Sequence, residues 1–433
     1  MTELITSTGQ QPGRSATGQL KSQIKPFDIS KWEVKEAWEE VRSHRGAPGV
    51  DGQSIEDFEK DLKGNLYKVW NRMSSGSYFP PPVRAVEIPK PNGGGTRMLG
   101  IPAVADRVAQ TVVARHLMRR VDPVFHPDSY GYRPGRSSLD AVERCRKRCW
   151  KRDWVVEFDI AKFFDSVPWD LLVKAVEAHT DAVWVNLYVR RWLAAPLVLP
   201  DGSLLERERG TPQGPRCLPS WRTCSCTTRS TPGWPGSSRA SGSNAMRTVL
   251  HCVTERQDRQ VLAALRDRLV EVGLQLHPDK TRIVYCKDSY RRGSYEHTSF
   301  TFLGYTFRPR KNRNRHGKQF LSFEPAISRQ ALTRIGREVR SWQLHLRSGT
   351  SFGDLARTIN RVVGGWINYY GRFRPWELFP FVMRINAYLV RWIRKKYKRL
   401  ASRRRAHAKL VEIAQRYPRM FAHWRLTTAA CEI

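Results

Sequence analysis

The sequence predicts an α/β fold followed by a mostly helical, strongly basic domain. Three observations carry this. Trp154 to Val167 begins as an apolar, β-branched run, ends its strand pattern on a single carboxylate, Asp159, and turns into a helical pattern. Strand-like and helix-like stretches alternate from about residue 29 to residue 307. From about residue 325 the strand signals stop, and Arg and Lys interleave with Trp and Tyr at helical spacing. The 433 residues leave room for two or three domains, and 40% hydrophobic content is that of a globular chain.

Residues 1–28 are rich in Ser, Thr, Gln and Gly and read as a disordered N-terminal segment. Ile29 to His44 has helical periodicity and stops at a loop, Arg45 to Gly52, holding three glycines and a proline. Ile55 to Arg72 is a second amphipathic helix. Val83 to Ile88 and Met98 to Pro102 read as two strands of a hairpin whose tip is Lys90 to Arg97. Asp106 to Val121 is helical, and Ser137 or Ser138 caps the next helix. The Asp159 strand follows, then helical pattern to about Leu193 and a hairpin at Leu197 to Gly202. Glu255 to Val272 is a helix, Gly273 to Thr281 a turn, Arg282 to Cys286 a strand, and Phe300 to Phe307 a strand pair. Arg308 to Lys318 reads as basic linker, which we extend to residue 324. Helices are expected over Ser328 to Arg347, Phe352 to Tyr370 and Glu377 to Arg405, with a tail over 406–433.

The charge balance narrows function. Lys and Arg number 75 against 40 Asp and Glu, a formal net charge of +35. That excess calls for a polyanionic partner, nucleic acid before membrane, because no apolar run has spanning length. No signal-peptide core opens the chain, so a cytoplasmic protein is expected. The eight Cys form no paired framework and are expected to be reduced. Cys217, Cys224 and Cys226 lack zinc-ligand spacing.

Five motifs then stand in one order: Gly46-Ala47-Pro48-Gly49-Val50-Asp51-Gly52; Ile88-Pro89-Lys90 with Arg97-Met98-Leu99-Gly100-Ile101-Pro102; Tyr130-Gly131-Tyr132-Arg133-Pro134-Gly135-Arg136-Ser137; Phe158-Asp159-Ile160-Ala161-Lys162-Phe163-Phe164-Asp165; and Gly210-Thr211-Pro212-Gln213-Gly214. Gly364-Gly365-Trp366-Ile367-Asn368-Tyr369-Tyr370 follows in the helical domain. Together they resemble the group II intron-encoded reverse transcriptases, or maturases, over nearly the whole chain. The resemblance implies a right-hand polymerase fingers and palm at 29–307, the reverse transcriptase fold, and an α-helical thumb or maturase domain at 325–405.

It also implies a chemistry. Nucleotidyl transfer uses two divalent ions, here Mg2+, held by carboxylates. By resemblance Asp159 bridges both ions and the Ile160 carbonyl is a further ligand. Lys90 and Arg97 would grip the triphosphate, the competing reading being a solvated hairpin tip. Gln213 would line the nucleotide pocket. Phe164, or Phe163, would exclude a 2′-hydroxyl, with a core role the alternative, and Asp165 is structural. Arg391, Arg394, Lys395, Lys396, Lys398, Arg399, Arg403, Arg404 and Arg405 form a stripe suited to an RNA backbone, while most of the neighbouring aromatics belong to the core. The implied partners are intron RNA, a DNA primer or target, and dNTPs.

The sequence departs from the family at one place. The family carries a Tyr-Ala-Asp-Asp hairpin downstream of Gly214, yet from Arg209 to Thr254 there is no Asp or Glu. Residues 215–248 instead run Pro-, Ser-, Gly- and Arg-rich, without apolar periodicity. Shifted by one frame, their codons permit a string ending in Tyr-Ala-Asp-Asp. Met246 before an Arg247 codon starting CG, for example, must yield Ala. We therefore expect a frame slip near Gly214 that closes near Thr248, and a polypeptide with an impaired palm and no polymerase activity. A non-catalytic, RNA-binding splicing cofactor is the alternative function. The sequence shows no endonuclease-type His/Cys/Asn cluster after the helical domain, and Arg425 to Ile433 departs from the family's usual ending.

Overall fold

The computed structural model describes residues 25–89, 95–212 and 248–427. Lys90, Gln213, the three cysteines Cys217, Cys224 and Cys226, and nearly all of the aberrant 215–248 segment lie outside the described residues.

The N-terminal region is built on helices α1 (Lys31–His44), α2 (Ile55–Lys60), α3 (Leu62–Ser74) and α4 (Val104–Val121). A capping box between Ser30 and Glu33 starts α1, and Val34, Ala37, Trp38 and Val41 give it one buried stripe. The single helix expected over Ile55 to Arg72 is two. Asp61 leaves helical geometry at φ −121° and ψ 55°, and its side chain caps α3 at Gly64 N–H. An aspartate competing for the backbone splits the helix without disturbing its apolar face. Strands β1 (Val83–Pro89) and β2 (Thr96–Ile101) form the expected hairpin, with Ala85 opposite Gly100 and Ile88 opposite Arg97. Later short strands, β4 (Leu197–Val198) and β5 (Leu204–Leu205), extend that sheet through a parallel β1–β4 pairing.

Between them, α5 (Ser138–Cys149) starts on a capping box at Ser137. It leads to β3 (Trp154–Phe158), all of whose residues are buried. The chain continues through α6 (Phe163–Ser166), α7 (Trp169–Glu177) and α8 (Val183–Ala194). Downstream come β6 (Thr248–Cys252), α9 (Glu255–Glu271) and β7 (Arg282–Tyr285). Here β3 is the middle strand of an antiparallel sheet ordered β6-β3-β7. Strand alternation divides its faces. Val155 packs with Val249, Val284 and α5, whereas Val156 and Phe158 pack with Leu250 and α9.

The basic linker expected over 308–324 is instead a long antiparallel hairpin, β9 (Tyr305–Arg313) and β10 (Gln319–Ile327), joined to β8 (Phe300–Phe302). Its charges suggested solvent, but alternate residues face the core. Arg310 is buried and paired with Glu377 at 2.7 Å, and Arg374 holds Glu324 at 2.9 Å. The helical region comprises α10 (Arg329–Ser341), α11 (Phe352–Tyr370), α12 (Phe379–Lys396), α13 (Arg403–Arg416) and α14 (Trp424–Thr427). The helix expected over Glu377 to Arg405 thus breaks after Lys396. The tail expected from 406 is folded through the described part, with Phe421 and Trp424 in the core. Residues 25–28 of the expected disordered segment are packed too: Phe27 sits edge-on against Tyr188. One apolar cluster runs from α5 and the β6-β3-β7 sheet through the β8–β10 hairpins into α10–α14. The two regions therefore share a core.

Candidate active site and nucleic-acid interface

Asp159 follows β3 directly and is 3% exposed. Its backbone is fixed by an antiparallel bridge between Ile160 and Leu276. Asp159 carbonyl accepts from His277 N–H at 2.8 Å, and Ala161 N–H donates to Gln275 carbonyl at 2.8 Å. In that pattern the peptide groups of Ile160 face away from Leu276, so its carbonyl is turned to the other side of the strand. The Asp159 carboxylate is only half satisfied. Oδ2 accepts from Lys280 Nζ at 3.0 Å, and Oδ1 is buried without a hydrogen-bond partner among the described residues. Lys280 closes a short 3-10 turn, Pro278–Lys280, after the Gly273 turn. The sequence reading took this segment as a plain turn and missed Lys280. The usable signal was a Lys two residues past a proline, entering the strand beside the one that carries Asp159. Two residues before Asp159, buried Glu157 holds Arg282 at 2.8 Å.

The motifs converge around this strand. Lys162 adopts a left-handed conformation, φ 43°, and reverses the chain into α6. Phe163 then enters the core, while Phe164 is half-buried and meets Phe163 edge-on. The Gly210-Thr211-Pro212 segment lies against this turn. Thr211 N–H donates to Phe164 carbonyl at 2.7 Å, Gly210 N–H to Val167 carbonyl at 2.8 Å, and Trp169 Nε1 to Gly210 carbonyl at 2.7 Å. Gly210 has φ 72°, and a Cβ there would lie 2.7 Å from the Asp165 backbone, so only glycine fits. Pro212 in turn presses on Gly100 of β2, where a Cβ would come within 2.5 Å of the proline ring. The hairpin, the Asp159 turn and the Thr-Pro turn thus form one contiguous unit. Arg97 lies on the strand face opposite Gly100, sharing that face with Arg84 and Leu99. Its Nε is buried without a hydrogen-bond partner among the described residues.

A two-ion centre needs carboxylates from more than one residue. Among the described residues no group of three or more ligand-type side chains gathers at Asp159, and a lysine already takes one of its two oxygens. Oδ1 alone offers an unused ligand atom. Thr248, the first described residue after the gap, pairs with Phe158, and the sequence holds no Asp or Glu between Arg209 and Thr254.

The basic stripe is spread over three segments. Arg391, Arg394, Lys395 and Lys396 end α12, Lys398 and Arg399 lie in a 3-10 turn, and Arg403, Arg404 and Arg405 open α13. All are exposed except Lys396, which is half-buried and donates to Thr350 carbonyl. Arg394 Nε also has an internal role, donating to Ala401 carbonyl at 2.7 Å. From Phe379 to Val411 the sequence has no Asp or Glu to offset these charges. Three arginines in the first turn of α13 oppose the helix dipole, and Ser402 makes no side-chain cap. Locally this arrangement costs stability, and a polyanion would relieve it.

Comparison with known proteins agrees with this arrangement. Residues 88–222 match the family described as reverse transcriptase (RNA-dependent DNA polymerase), and residues 332–410 match the group II intron maturase-specific domain. Protein YkfC of Escherichia coli (strain K12) is 35% identical over 184 residues, covering 40% of this chain and 46% of that protein. Group II intron-encoded protein LtrA of Lactococcus lactis subsp. cremoris is 28% identical over 180 residues, 41% of this chain and 29% of its own length. The putative COX1/OXI3 intron 1 protein of Saccharomyces cerevisiae is 28% identical over 179 residues, 41% of this chain and 21% of its own. The matched stretches span less than half the length of these relatives. No helix among the described residues is long and apolar enough to cross a membrane. With a reverse transcriptase match around Asp159 and a maturase-specific match over the basic helices, the chain belongs to the group II intron reverse transcriptase/maturase family.

Proposed function

We propose that this chain binds structured intron RNA as a maturase and, with the sequence it has, does not add nucleotides. In this reading residues 29–307 are fingers and palm, the helical region over 325–405 is the thumb or maturase domain, and the DNA-polymerase activity of the family has been lost with two of three metal-binding aspartates. The observation that carries it is the state of Asp159: one oxygen on Lys280, the other buried with no partner among the described residues, and no further acid in the sequence between Arg209 and Thr254. Mg2+ would have one protein carboxylate to bind, too few for a two-ion mechanism. RNA binding does not depend on that centre, because the exposed cations of α12 and α13 lie outside it.

The test has two arms. Primer extension on an RNA template with Mg2+ and dNTPs should give no product; extension that Asp159→Asn abolishes would overturn the inactive assignment. Filter binding across salt should favour a group II intron RNA over a random RNA of equal length, and equal affinity would overturn the maturase assignment. We further propose that the 215–248 segment reflects a frame slip in the gene. Resequencing between codons for Arg209 and Thr254 checks this directly. A chain rebuilt in the restored frame should gain Mg2+-dependent extension that requires Asp159.

A further inference from the structure

A second cluster of ligand-type side chains lies on the α5-facing side of the β6-β3-β7 sheet, away from Asp159. α5 projects Cys145 and Cys149 one turn apart, which puts them on one face. His251 comes from β6, opposite Val155 of β3. Cys286 directly follows β7, with its N–H on Asp153 carbonyl at 2.8 Å. All four are buried. His251 Nε2 lies 3.7 Å from Cys145 Sγ and 3.5 Å from Cys149 Sγ, and these three ligand atoms lie within 4.8 Å of one another. The buried Cys286 thiol neighbours that of Cys149 but lies outside this three-atom cluster.

These spacings are those of a coordination polyhedron. With Zn–S near 2.3 Å and Zn–N near 2.05 Å, a tetrahedral site has S···N edges of about 3.6 Å. The ordinary alternative is a set of inert core thiols around a buried imidazole. Against it stands the convergence of two sulfurs and one ring nitrogen within 4.8 Å of one another, from α5 and β6, with the buried Cys286 thiol next to Cys149. Arg291, whose side chain is 11% exposed, donates to Cys149 carbonyl at 2.9 Å. Zinc with three thiolates and one neutral imidazole carries a net charge of about −1; Arg291 lies beside the cluster but is itself paired with Asp288 and, at 3.4 Å, with Asp153.

We propose that Cys145, Cys149, His251 and Cys286 bind one structural zinc ion. Four protein ligands leave no open position, so the ion's role is to hold the fold. It ties α5 to both strands that flank β3, on the sheet face that carries Val155. The strand that presents Asp159 is thereby clamped from behind. Binding replaces three thiol protons by Zn2+, and the protons pass to solvent. This proposal is independent of whether the polymerase centre is active.

The full chain, expressed and purified under reducing conditions without chelators, should contain about one equivalent of zinc by elemental analysis. Replacement by Co2+ should give thiolate-to-cobalt charge-transfer bands and the d–d bands of a tetrahedral site. Cys149→Ser should lose the metal, whereas Cys252→Ser, on the opposite sheet face with Trp154 and Tyr285, should keep it. Far-UV circular dichroism reports folding of each variant. Should Cys149→Ser unfold, the cobalt spectrum of the unsubstituted chain decides, since its charge-transfer intensity scales with the number of thiolates. A folded chain that holds no zinc and develops no cobalt spectrum overturns the proposal. So does zinc that survives Cys149→Ser and Cys286→Ser.

Discussion

Lys280 Nζ lies 3.0 Å from Asp159 Oδ2, and among the described residues no other side chain satisfies this buried carboxylate. The pair is asymmetric: the aspartate side chain is 4% exposed and the lysine 42%. Removing the lysine strands a buried charge, which is costly, but the half-exposed ammonium is screened by water. Lys280→Met should destabilise the protein by roughly 1–3 kcal/mol in urea unfolding. Adding Asp159→Asn should recover part of that loss, since the stranded charge is gone. Additive losses in the double variant would show that the two side chains do not interact.

Gly210 and Gly135 both have positive φ, 72° and 67°, but differ in surroundings. A Cβ at Gly210 meets the Asp165 backbone at 2.7 Å, whereas one at Gly135 meets nothing within 4 Å. Gly135→Ala should cost only the left-handed strain, about 1 kcal/mol. Gly210→Ala adds a clash with backbone that cannot rotate away, and should cost roughly 2–4 kcal/mol. Denaturant midpoints of the two variants check the ranking, and equal losses would contradict the Gly210 contact.

Arg403, Arg404 and Arg405 open α13 against its dipole. Changing all three to Glu should leave thermal stability unchanged or slightly higher, because acids favour a helix N-terminus. Affinity for structured RNA should fall about tenfold or more, and the dependence of log K on log salt should flatten by about 0.7–0.9 per lost phosphate contact. A fall in RNA affinity accompanied by a lower melting temperature would instead mean damage to the fold.

Asp106 on α4 is fully buried, between Tyr78 Oη at 3.0 Å, Trp192 Nε1 at 2.6 Å and Gln110 Nε2 at 2.8 Å. Burial pushes its carboxyl up to about 6, and the three donated hydrogen bonds hold it from rising further. The folded state therefore binds the proton more tightly than the unfolded chain does. Its stabilising contribution is full below about pH 4 and is lost as pH rises through about 6. Asp106→Asn should remove this decline from the pH profile of unfolding free energy between about 4 and 6. A decline of the same size in the variant would place the titrating group elsewhere.

Much of the fold was legible because its signals are local. Ser30, Ser137 and Ser351 each close a capping box three residues ahead of an acid, and α11 runs from Phe352 to Tyr370 as its periodicity indicates. The β1–β2 hairpin and the Asp159 strand follow from alternation and turn residues. The place of Asp159 at the end of a buried strand followed from the apolar run before it and the ordered motifs around it. Misreadings arose where composition was taken for environment. The basic 308–324 segment is a hairpin, because Arg310 and its neighbours find carboxylates only after distant strands and helices meet. Asp61 breaks a helix that periodicity alone continues.

What no spacing could disclose is contact between residues far apart in the chain. Lys280 reaches Asp159 across 121 positions, Pro212 seats on Gly100, and Cys145, Cys149, His251 and Cys286 meet behind β3. Local sequence sets backbone preference and the burial period, because those energies act over one or two turns. Which side chains share a site depends on strand register and on the packing of helices across it, and these exist only once the β6-β3-β7 sheet is assembled. The residue types were written along the chain, and the pairing of strands made them neighbours.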